Sequence, residues 1–169
     1  MIELLLDTNV LIHLLHPTSS AEAGLTRQLL DWDRAGAVCL RVAAISGHEE
    51  ARSPAQLVAE LEVLGLAQDR IVGTAQYSDT HLDEISAILG HRKAGDWYDA
   101  HMVYTALNFV QRGFDMWLVT GDRNILRHIE RLQTLGTLPI YSLRGVINQL
   151  RTDFPLTINR HGMHEGSTN

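Results

Sequence analysis

Four short apolar runs, separated by longer stretches with helical spacing, constrain the fold of this 169-residue chain more than any other feature. Residues 2–6 (IELLL), 37–45 (AVCLRVAAI), 116–120 (MWLVT) and 138–143 (LPIYSL) each read as a strand. After the first run, Val10, Leu11, Leu14 and Leu15 predict a helix from Asn9, closed by Pro17. Thr18-Ser19-Ser20 then offers a cap for a second helix, which runs through Ala35 and stops at Gly36. Ser46-Gly47-His48-Glu49 has capping-box spacing and predicts a helix immediately after the second run. Further helices are expected over 56–64, from Asp79 or Thr80 to Gly90, and over 95–110, 124–135 and 144–150. Residues 70–76 read as a loop or a short extended piece. Strands that alternate with helices pack as a parallel sheet with helices on both faces. The expected fold is α/β, a three-layer α/β/α arrangement around a mostly parallel sheet. It forms one domain over 1–156, followed by a loosely ordered tail over 157–169.

Three carboxylates fall just past apolar runs: Asp7, Glu49 and Asp122. In an open parallel sheet the carboxyl ends of the strands share one edge, where ligands bind. Asp99 opens the helix of the DAHMVYTAL segment and can point its first turn at that edge. Intervals of 42, 50 and 23 residues separate the four acids, so only a folded domain brings them together. Acids with no Cys or general-base His beside them suit hard cations, because Mg²⁺ and Mn²⁺ prefer oxygen ligands. Each acid also has a plainer reading. Asp7 and Asp122 can cap the helices that follow them, Glu49 can complete the capping box, and Asp99 can complement a helix N-terminus. Asp96 reads as an N-cap rather than a ligand.

Charge excludes one class of partner contact. Fourteen Lys and Arg against 20 Asp and Glu leave −6, so no general basic coat is present to hold a polyanion. Two divalent ions at a four-carboxylate site would bring −6 to −2. Basic residues gather modestly at His91-Arg92-Lys93 and at Arg123, Arg127 and Arg131, the last three spaced for one helix face. Arg123, beside Asp122, can reach a phosphate near the ions. No apolar run approaches the roughly 20 residues of a membrane span. The start lacks a basic leader and Cys39 stands alone, which together suggest a cytoplasmic protein without a signal peptide.

The stretches LLLDTNVLI, DAHMVYTAL and LVTGDRNI, in that order, resemble the PIN-domain family of metal-dependent ribonucleases. They match its strand–Asp–Thr–Asn opening, its Asp-Ala helix start and its Thr-x-Asp strand exit. The resemblance spans roughly residues 1–150. It implies a PIN-like nuclease fold, with Asp7, Asp99 and Asp122 as catalytic acids that bind Mg²⁺ or Mn²⁺. It makes Asn9 and Thr120 hydrogen-bonding supports for Asp7 and Asp122. The family's remaining acid follows a Ser or Thr by three, which points to Glu49, with the adjacent Glu50 as the alternative. The implied activity is endoribonuclease cleavage of RNA by water. Many small bacterial proteins of this kind are toxins, so a small antitoxin protein and a homodimer are the implied partners.

Other functions stay open on the sequence: a housekeeping RNA-processing nuclease, a non-catalytic RNA- or protein-binding module, and a haloacid-dehalogenase-type phosphotransferase. The last would use Asp7 as nucleophile, but position 9 holds Asn where that chemistry is read from a second Asp. The nine histidines include no HExxH, and no phosphate-binding glycine loop or GxSxG elbow is present.

Overall fold

The computed structural model describes residues 1–16, 19–49, 52–73, 79–90 and 97–153, with backbone alone for 48, 49 and 79. Strand β1 (Glu3–Leu6) lies at the centre of the sheet. It pairs in parallel with β2 (Cys39–Ala43) on one side and with β4 (Met116–Val119) on the other. Two-residue strands β3 (Ile71–Val72) and β5 (Ile140–Tyr141) form the edges, so the order is β3-β2-β1-β4-β5 and every pairing is parallel.

The near-continuous apolar strands predict burial on both faces, and that is the arrangement found. Leu4 and Leu6 face one helical layer and Leu5 the other, as a period of two requires. The first layer holds α1 (Thr8–Leu15), α2 (Ala21–Arg34), α4 (Pro54–Val63) and α9 (Leu143–Asp153), with Leu11, Leu29, Leu61 and Val146 in its core. The second holds α5 (Asp79–Leu89), α6 (Trp97–Gln111), α7 (Arg123–Arg127) and α8 (Ile129–Leu132), with Ile85, Val103 and Ile125 buried. The short α3 (Ala44–Glu49) packs against α6. This is the expected three-layer α/β/α fold. Among the described residues no helix is long and apolar enough to cross a membrane.

The chain leaves β1 toward β2 on one side of the sheet, while β4 lies on the other side. The strand order therefore reverses between β1 and β4, and a parallel sheet opens a crevice at the carboxyl ends of two such strands. Asp7 follows β1 directly and Thr120 follows β4.

Local elements differ from the sequence expectation in three places, each for a physical reason. The second strand stops at Ala43, and α3 begins at Ala44, where the ladder with β1 has ended at Leu6–Val42. Ser46 thus lies inside the helix rather than at its cap, and the capping-box reading of Ser46 and Glu49 is corrected. The helix expected over 124–135 is two helices, because the His128 ring bonds Asn124 O at 2.9 Å and the backbone turns there (φ −106°, ψ 15°). Arg123, Arg127 and Arg131 consequently do not share one helix face; Arg131 instead donates to Ile88 O at the end of α5. The last strand is confined to Ile140 and Tyr141, since Pro139 offers only a carbonyl to β4 and Ser142 already bonds Gly145 N in α9. Within 70–76, residues 71 and 72 are strand. The tail expected over 157–169, Asp96 and the His91-Arg92-Lys93 group lie outside the described residues.

At the amino edge of the sheet, away from the crevice, the buried Asp33 carboxylate accepts from Leu40 N and from Arg70 Nη1, both at 2.7 Å. Arg70 also reaches Cys39 Sγ, whose thiol pKa burial raises, so it stays neutral. Asp33→Ala would leave a buried amide without its acceptor and a half-buried guanidinium without its counter-charge. We expect a loss of about 3 kcal/mol in urea unfolding, characteristic of breaking a buried pair from one side.

Candidate active site

The carboxyl edge is built from the backbone outward. Strand alternation sends Asp7 to the same face as Leu5, and Thr120 to the same face as Leu118, which is the α6 side. The register places the two side by side: Leu6 pairs with Val119, and Asp7 N donates to Val119 O at 2.9 Å. Thr120 Oγ1 donates to Asp7 Oδ2 in a short hydrogen bond and accepts from Asp122 N at 2.9 Å. Asn9 Nδ2 donates to Asp7 Oδ2 at 2.9 Å, and Asn9 Oδ1 accepts from Gly121 N at 2.7 Å. Five residues from two strand ends thus form one hydrogen-bonded clasp.

Asp7 is almost fully buried, with 4% of its surface exposed. Its Oδ1 accepts from Thr8 N at 2.8 Å, so it is also the N-cap of α1. Asp122 is the N-cap of α7 and does this with one oxygen: Oδ1 accepts from Asn124 N at 2.7 Å and Ile125 N at 2.9 Å. Among the described residues its Oδ2 carries no hydrogen bond. Capping and ligation are therefore not rivals at Asp122, since each can use a different oxygen.

Asp99 is half-buried in the first turn of α6, on the sheet face toward which Asp7 and Thr120 point. A helix leading into a parallel strand runs antiparallel to it, so the start of α6 lies at the carboxyl edge. Glu49 ends α3, which packs against α6; its side chain, and all of Glu50, lie outside the described residues. Arg123 is exposed at the first position of α7. The structure therefore joins Asp7, Asn9, Thr120 and Asp122 directly, and brings the helices bearing Asp99 and Glu49 to the same face. Among the described residues no three His, Cys, Asp or Glu side chains form a ready cation cage.

The groups present nevertheless fit a hard, hydrated cation. The donors are oxygens, and Thr8 Oγ1 and Ser46 Oγ are buried at the carboxyl ends of β1 and β2 with no hydrogen-bond partner among the described residues. Buried hydroxyls are rarely left unsatisfied, and Mg²⁺ keeps several of its waters when bound, which such hydroxyls can hold. His101, next to the site in sequence, is buried under Trp97 with ring centroids 3.7 Å apart. Burial lowers its pKa, so at neutral pH it adds no positive charge.

Gly121 escapes the sequence reading. It has no positive φ to mark it; a Cβ there would meet Asn9 Oδ1 at 2.9 Å, so any other residue would have to displace the Asn9 side chain from the clasp. The only signal available is its place between Thr120 and Asp122. Comparison with protein-family models, with curated proteins and with solved structures found no match in any of the three.

The clasp makes Thr120 a discriminating position. Thr120→Val keeps shape but leaves the Asp122 amide without its acceptor and removes one of the donors to Asp7. It should cost about 1–3 kcal/mol in urea unfolding and speed hydrogen exchange at the Asp122 amide. Thr120→Ser should do neither to the same degree.

Proposed function

We propose that this chain is a metal-dependent endoribonuclease of the PIN-domain type that its motifs resemble. One observation carries the reading: Asp7 and Asp122 stand on either side of the β1/β4 switch point, tied through Thr120. Asn9 and Thr120 hold the Asp7 carboxylate in one orientation, and the α7 amides hold that of Asp122. With Asp99 and Glu49 from the α6 and α3 side, they would bind Mg²⁺ or Mn²⁺. Divalent ions supply an activated water and a counter-charge for the leaving oxygen of a phosphodiester. Arg123, exposed beside Asp122, is placed to meet a substrate phosphate. RNA is the proposed substrate; a small antitoxin protein and a second copy of the chain are the partners that the resemblance implies.

Asn9 bears on the competing phosphotransferase reading. Its amide is spent on Asp7 and Gly121 rather than offered to a substrate, and it brings no second carboxylate. A group already fixed in the scaffold on both of its polar atoms is a positioning residue.

Removing charge at each acid tests the proposal, and the three Asp positions are not equivalent. Asp122→Asn keeps the cap, because Asn caps a helix as well as Asp does. Asp7→Asn cannot be neutral. Its amide would have to turn an NH₂ group toward either Thr8 N or the donors of Asn9 and Thr120, setting donor against donor. Cleavage of a fluorescent single-stranded RNA in Mn²⁺ should fall by about 100-fold or more in Asp99→Asn and Asp122→Asn, roughly 3 kcal/mol of barrier. Their circular dichroism should be unchanged. Asp7→Asn should lose activity and stability together. Glu49→Gln should be inactive and Glu50→Gln active. Full cleavage by Asp122→Asn would refute the reading.

A further inference from the structure

A cavity of about 450 Å³ opens on the side of the clasp away from α6, between α1, α2 and the start of α9. Asn9 and Gly121, the two residues joined across the clasp, form one of its walls. Leu25 and Leu143 give it apolar sides, while Glu22 and Arg144 bring opposite charges to its rim. Both charged side chains are exposed, and among the described residues neither makes an ion pair or a hydrogen bond. The volume falls within the range of small-ligand pockets, which are largely apolar with a few placed polar groups.

We infer that this cavity is a nucleotide subsite, with Glu22 reading the edge of an unpaired guanine, Leu25 and Leu143 contacting the ring faces, and Arg144 holding a phosphate. The choice of base follows from donor geometry. A carboxylate accepts two parallel N–H bonds, and only guanine presents two adjacent donors, N1–H and N2–H, on its pairing edge. Adenine and cytosine set a ring nitrogen lone pair beside their amino group, and uracil flanks its N3–H with two carbonyls. Each would turn an acceptor toward Glu22. Arginine binds phosphate through two N–H groups at once. A chain of net charge −6 has no basic coat to hold a strand, so local contacts of this kind add retention as well as selection. That the nucleotide belongs to a longer RNA strand, crossing the carboxyl edge toward the acids, rests on the nuclease reading; binding of the nucleotide does not.

The test uses the full ¹⁵N-labelled chain in chelator, titrated separately with GMP, AMP, CMP and UMP. GMP should shift the Gly121 and Leu143 amides and bind at least tenfold more tightly than UMP. Glu22→Gln should remove that preference. Arg144→Gln should weaken GMP but leave guanosine unaffected. No shift at these amides up to millimolar GMP, or equal affinity for all four nucleotides in wild type, overturns the inference. A second arm follows cleavage of RNAs in Mn²⁺ that differ in one unpaired base. If GMP binds as described but no RNA is cut, the subsite stands and the nuclease reading fails. If RNA is cut and Glu22→Gln retains a guanine preference, the nuclease reading stands and the subsite falls.

Discussion

Beyond the last rung of the ladder between β1 and β4, the two strand ends stay together through Thr120 and Asn9. Thr120 gives its proton to Asp7 and takes one from Asp122 N; Asn9 donates to Asp7 and accepts from Gly121 N. A buried carboxylate is costly unless hydrogen bonds answer it, and here those bonds also set where the polypeptide goes next. The turn after β4, the start of α7 and the start of α1 are all referenced to one side chain, Asp7. The crevice at the switch point owes its shape to this arrangement.

The same economy governs the opposite edge with a different outcome. Asp33 is buried and acidic too, but it is held by the Arg70 guanidinium beside Cys39. It secures the amino ends of the strands, where a parallel sheet offers no ligand crevice. Asp7 and Asp122 lie at the carboxyl ends, and the described donors that hold them are neutral amides and a hydroxyl. Neutral donors orient a carboxylate without cancelling its charge. Position in the topology, more than residue type, separates a structural acid from a candidate ligand.

Much of this is legible in the sequence. Apolar runs ending on acids mark the strand exits, and the resemblance carried by LLLDTNVLI and LVTGDRNI points to Asn9 and Thr120 as supports. What escapes reading arises where side chains compete with backbone. The His128 ring takes the Asn124 carbonyl that a continuous helix would use, and no periodicity reveals it. Ser46 has the spacing of a cap, yet α3 begins two residues earlier because the sheet pairing has run out. Gly121 leaves room for a close approach by the side chain of a residue 112 positions away, which only the folded chain discloses. Cap and ligand are not alternatives at Asp122 either, because its two oxygens have separate surroundings.

The proposed function requires that the carboxyl edge bind a divalent cation through its acids. Thermal melts of wild type and Asp122→Asn, each in chelator and in millimolar Mn²⁺, address it directly. An ion that binds only the folded chain raises the melting temperature by mass action. Wild type should therefore melt higher in Mn²⁺ by an amount that grows with ion concentration. Asp122→Asn, with its cap kept and one charge removed, should match or exceed wild type in chelator yet gain less from Mn²⁺. A wild-type melting temperature that is the same in both buffers would contradict the account.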